Sequence, residues 1–133
     1  MEDRLKPLDT SDIAEHYLGG ERATVAVQVN RGRFPHSDYM LGQKSYWFKG
    51  TADAWKVRLI SLYEATKEET QTLVRETDPQ TGKRIGLKNK NKVNAIRYRA
   101  MEEATVHAEE VGAALKAQLL NDDRDGNQHE RRR

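Results

Sequence analysis

Apolar positions return at helical intervals over residues 13–29 and again from residue 55 onward, and between these stretches lie short β-prone runs. Asp9-Thr10-Ser11-Asp12 is a cluster of N-cap residues with acids in the first turn, and Ile13, Ala14 and Tyr17 follow at helical spacing, which predicts a first short helix. Gly19-Gly20 ends it. A second short helix is predicted from Glu21 to about Asn30, with Val25 and Val29 four apart on one face and Gly32 and Pro35 as its stop. Tyr39-Met40-Leu41 and Ser45-Tyr46-Trp47-Phe48, separated by Gly42-Gln43-Lys44, read as a small hairpin.

Thr51 then offers an N-cap for a third helix over about residues 52–76. Trp55, Leu59 and Leu62 open its apolar stripe, which Thr66 and Glu69 weaken before Leu73. Asp78-Pro79-Gln80-Thr81-Gly82 breaks that helix, because proline removes a donor and glycine frees the backbone. Beyond it Val93, Ile96, Ala100, Ala104, Ala108, Val111, Leu115 and Leu119 mark a long helix to about residue 120, on the order of 45 Å in length. A helix with so alanine-rich a stripe needs a partner: the 52–76 helix, a second subunit, or both.

Two short helices joined by a glycine turn, then a hairpin, then a third helix is the order of a winged helix-turn-helix. The predicted fold is therefore mainly α: an N-terminal winged helix-turn-helix with a small β-hairpin wing, followed by two long helices forming a hairpin or an oligomerisation element. In domain terms, residues 1–63 form the DNA-binding unit and residues 64–120 a helical oligomerisation region containing a basic linker at 83–99. Residues 121–133 form a disordered polar tail. Eight of the nine aromatic side chains fall between Tyr17 and Tyr63, which places the core in the N-terminal half and gives Phe34, Trp47 and Trp55 a core role rather than a base-stacking one.

Charge changes the picture of the second half. The net charge of +2 hides a run of seven cations without an acid, Lys83, Arg84, Lys88, Lys90, Lys92, Arg97 and Arg99, followed by an acid-rich stretch. Such a run reads either as a phosphate-binding arm or as a solvated linker and helix start, and its density favours contact with nucleic acid.

The residues Leu8-Asp9-Thr10-Ser11-Asp12-Ile13-Ala14-Glu15, Arg22-Ala23-Thr24-Val25, Asn30-Arg31-Gly32-Arg33-Phe34-Pro35, Leu41-Gly42-Gln43-Lys44-Ser45-Tyr46-Trp47 and Ala54-Trp55, taken in order, resemble the MerR-like winged-helix family. That family includes AlpA-type phage regulators, excisionases and, more distantly, the DNA-binding domain of lambdoid small terminase subunits. The resemblance implies that Arg22, Ala23, Thr24 and Ala26 lie on the groove-facing side of a recognition helix. It further implies that Asn30, Arg31 and Arg33 lie near the DNA backbone and that Gln43, Lys44 and Ser45 form the wing. The sequence departs from the pattern at Glu21, where the family usually has an N-cap serine, and at Gln28, where it usually has a core tryptophan. Gln28 reads as a base-reading side chain suited to adenine or as a half-buried polar residue.

Other chemistry finds little to stand on. There is no cysteine, the four histidines show no metal-ligand spacing, and neither a phosphate-loop nor a nucleophile-elbow motif occurs, so no catalytic residue, metal or cofactor is expected. No segment carries the roughly 18 to 20 apolar residues of a membrane span, and the opening stretch has no apolar signal region, so a cytoplasmic protein is expected in a bacterial or virus-infected cell. The expected function is sequence-specific binding of double-stranded DNA, as a phage or mobile-element regulator or excisionase, by a dimer or larger ring. The alternatives are a small terminase subunit marking viral DNA for packaging, and an oligomeric adaptor that uses the winged-helix scaffold for contact with a phage or host protein.

Overall fold

The computed structural model describes residues 3–84 and 89–131, with side-chain surroundings given up to residue 122. The chain is mainly helical, with a small three-stranded antiparallel sheet and a long C-terminal helix. A 3-10 turn at Asp3–Leu5 leads into β1 (Pro7–Leu8), then α1 (Thr10–Ile13), which continues as a wider π-type turn through Ala14–Leu18. Next come α2 (Arg22–Asn30), β2 (Tyr39–Leu41), β3 (Lys44–Phe48), α3 (Lys49–Ala65), α4 (Lys67–Arg75) and α5 (Lys90–Arg131).

The start of α1 follows from the Asp-rich cluster. The Asp9 carboxylate accepts from the Asp12 N–H at 2.9 Å, and the Asp12 carboxylate accepts from the Asp9 N–H at 3.1 Å, a reciprocal capping box. The Asp12 N–H is also the main reason the Asp9 carboxyl sits below its usual range. The hairpin forms as its sequence predicts, but Lys44 belongs to a strand, leaving a two-residue loop of Gly42 and Gln43. Gly42 takes φ +62° and Gln43 does not take a positive φ, the pattern of a II′ hairpin, whose twist suits two short strands. The pairing of β1 with β3, which completes the order β1-β3-β2, was not predicted, because a two-residue strand has no period to read.

The expected 52–76 helix differs from the structure at both ends of its first half. Phe48, not Thr51, is the N-cap residue of α3, and Thr51 is fully buried inside the helix. The helix is interrupted at Thr66, where the Thr66 hydroxyl donates to the Leu62 carbonyl at 3.0 Å and the Thr70 hydroxyl donates to Thr66 at 2.8 Å. Such back-bonding competes with the helical ladder and bends it. The long helix runs on past residue 120, the end its stripe predicts, to Arg131.

Phe34 is the hub of the core. Its ring meets Trp55 at 4.8 Å and Trp47 at 6.0 Å, both edge to face, and all three are buried as predicted. Each indole N–H donates to the backbone of the same loop, Trp47 to the Pro35 carbonyl at 2.8 Å and Trp55 to the Arg33 carbonyl at 3.0 Å. Ala100, Ala104 and Ala108 of α5 lie in the same buried cluster as Ile13, Val25, Phe34, Trp47, Trp55 and Leu59. Of the partners left open for the alanine stripe, α3 is therefore one, and the small side chains let α5 lie close against it. A second cluster of Leu5, Phe48 and Leu115 closes the far end, with Tyr39, Val111 and Leu119 packed on it.

Candidate nucleic-acid interface

Helix α2 is held by one face. Val25 is buried and Val29 packs beside it, and Thr24 lies against Gly20 at the turn from α1. Away from that face Ala23, Ala26, Val27 and Asn30 are exposed; Arg22 is exposed on the first turn, three residues before Val25 at the edge of the held face, and Arg31 is exposed just beyond the helix. Two alanines flanked by arginines give a low profile with a cation at each end, a shape that lets a helix backbone approach a groove. Glu21 is the N-cap residue and makes no side-chain cap. Gln28 is half-buried, and its Oε1 is enclosed without a hydrogen-bond donor, in keeping with the half-buried polar reading.

Arg33 is committed internally. Its N–H donates to the Gln28 carbonyl at 2.9 Å, its own carbonyl receives the Trp55 indole, and its guanidinium lies over the Tyr98 ring, 3.4 Å from the centroid. The loop after α2 is thereby fixed to the N-terminal part of α5.

At the hairpin, Gln43 and Lys44 are exposed and Ser45 is half-buried. Lys44 sits near enough to Asp9 to help keep that carboxyl ionised, so the basic tip stands beside the start of α1. Met40 and Leu41, exposed apolar side chains on the same hairpin, carried no assignment from sequence. The base of the hairpin packs through Tyr39 toward Leu115, whereas the α2 loop packs on Tyr98. Seventeen residues of α5 separate these contacts, roughly 25 Å and so less than one turn of duplex DNA.

The basic segment is anchored rather than free. Lys83 and Arg84 are exposed on a tight turn closed by the Thr77–Arg84 bridge and by the Asp78 N–H donating to the Lys83 carbonyl at 2.8 Å. Asn89 is buried at the start of α5, and its amide donates to the Leu73 carbonyl at 2.9 Å and to Glu76 Oε2 at 2.7 Å. It thus closes the end of α4 while the Asn89 carbonyl receives the Val93 N–H. Lys90 and Lys92 are exposed on the first turn of α5. Lys88 lies outside the described residues.

Among the described residues no group of His, Asp or Glu could hold a metal ion, and no helix is long and apolar enough to cross a membrane. No protein-family model, curated protein or solved structure matches this chain.

Proposed function

We propose that this chain is a winged helix-turn-helix protein that binds double-stranded DNA in a sequence-dependent way. The observation that carries the reading is the open face of α2, with Ala23 and Ala26 between Arg22 and Arg31, braced by α1 and followed by a hairpin with an exposed Lys44. On this reading Arg22 reads base edges, Asn30, Arg31 and Lys44 meet phosphates, and Thr24 and Arg33 position the helix and its loop. Lys90 and Lys92 add support, because cations on the first turn of a helix oppose its dipole and gain an explanation from a bound polyanion.

The role within that class is a transcriptional regulator or excisionase, or a small terminase subunit, the last favoured by the 42-residue length of α5. A second copy would pack on the outer face of α5, where Val106 and Leu120 are exposed in line with Ala113. A second reading, an adaptor that binds protein, draws on the exposed Val27, Met40 and Leu41.

Anisotropy titrations of labelled duplexes at two salt concentrations test the proposal. Wild type should bind a few fragments tightly and in a salt-sensitive manner, and Arg22→Ala should cost about 1–3 kcal/mol at the best site alone. Absence of duplex binding by the wild type overturns it in favour of the adaptor.

A further inference from the structure

An open cleft of about 430 Å³ lies where the end of α3, the length of α4 and the first turns of α5 meet. Lys67, Arg75 and Arg97 line it from two different helices, Tyr63 forms an aromatic wall, and Glu64 is the acid on its rim. Among the described residues none of these three cations meets a carboxylate within ion-pair distance, whereas Lys49 elsewhere holds both Asp3 and Asp53.

The helix dipoles account for the placement of only one of them. Lys67 is the first residue of α4 and Arg97 lies in the N-terminal part of α5, so neither complements its helix dipole; Arg75, in the last turn of α4, does. Three cations on one concave surface repel each other and concentrate positive potential, an arrangement that an anion relieves. Two guanidinium forks and an ammonium suit the oxygens of a phosphate group.

The position also fits. Arg97 shares a turn of α5 with Tyr98, the residue that holds Arg33 and the loop after α2, so cleft and loop are carried by the same stretch of that helix. Lys90 is seven residues earlier on the same helix, roughly 10 Å away. We propose that this cleft binds phosphate groups, those of a nucleic-acid backbone continuing past Arg31; the choice of nucleic acid rests on the DNA-binding reading above. The cleft contributes affinity without sequence preference, because phosphates carry no base information.

The test compares the full chain with the triple variant Lys67→Gln, Arg75→Gln, Arg97→Gln, whose fold is checked by circular dichroism. Duplex affinity is measured across a salt series, and amide shifts are followed on adding inorganic tripolyphosphate. The variant should weaken binding to preferred and unrelated duplexes by the same factor and flatten the slope of log K against log salt by about 2 to 3. Tripolyphosphate should move amides of residues 63–75 and 97 in wild type only. A folded variant with an unchanged slope overturns the proposal. Should wild type bind no duplex, the cleft stands and the DNA reading falls if tripolyphosphate still moves those amides; both fall if it does not.

Discussion

The guanidinium of Arg33 rests 3.4 Å from the centroid of the Tyr98 ring, across 65 residues of sequence, and this contact ties the loop after α2 to α5. Cation–π pairs contribute about 0.5–1 kcal/mol when exposed and about 2 kcal/mol when desolvated. Arg33 Nε is enclosed without an acceptor while Tyr98 is 37% exposed, which places this pair between the two limits. A double-mutant cycle of Arg33→Ala and Tyr98→Ala, measured by urea unfolding, should give a coupling of about 1–2 kcal/mol. A coupling near zero would mean that the loop is held by the two indole hydrogen bonds alone.

Gly112 should resist replacement by alanine. In an exposed helix the change gains about 1 kcal/mol. Here an added Cβ would clash with Asp38 Oδ1 and fall 2.8 Å from Thr51 Oγ1, and the Asp38 carboxylate is fixed by the Phe48 N–H at 2.8 Å. Overpacking of this kind costs about 1–3 kcal/mol, so Gly112→Ala should lower the melting temperature. Adding Asp38→Ala should make the alanine cheaper than it is in wild type.

Asp38 also sets a pH dependence. Burial pushes its carboxyl above the usual 3.8, against the Phe48 N–H, the nearby Thr51 hydroxyl and Lys116, and Glu109 adds to the rise. A raised folded-state value means that the proton favours the fold, a contribution complete below the unfolded value and lost as pH rises through the folded one. Asn in place of Asp38 keeps an acceptor for Phe48 and cannot ionise. The stability of Asp38→Asn relative to wild type should therefore increase from about pH 4 to about pH 7, read by thermal melts. A flat difference would contradict it.

The assembly proposal rests on a different face. Val106, Ala113 and Leu120 recur every seven residues, and Val106 and Leu120 are 61% and 55% exposed. Light scattering should find an oligomer for wild type, and Val106→Glu with Leu120→Glu should yield a folded monomer. A wild type that is already monomeric at high concentration would show that α3 is the only partner α5 requires.

The parts visible in the sequence are those with a period or a strong local cap. Ala100, Ala104, Ala108 and Leu115 repeat at helical spacing over about four turns, long enough to identify the buried face of α5. Asp9 and Gly42 act within a few residues of themselves, and so they marked the start of α1 and the hairpin turn. What was not legible depends on contacts between distant segments. The pairing of Pro7 with Phe48, the burial of Thr51 against α5 and the commitment of Arg33 to Tyr98 are set by packing, which no local pattern records. The interface residues divide the same way. The open side of α2 follows from Val25 and Val29 on its other face, but the convergence of Lys67, Arg75 and Arg97 needs the bend at Thr66 and the return of α5.

Selection from a random-sequence duplex pool, followed by sequencing of the bound fraction, tests sequence-dependent recognition by α2 most directly. Wild type should enrich a short discrete motif, and Arg22→Ala should lose discrimination at one position of it while Lys90→Ala with Lys92→Ala lowers recovery without changing it. A bound pool indistinguishable from the input would contradict the account.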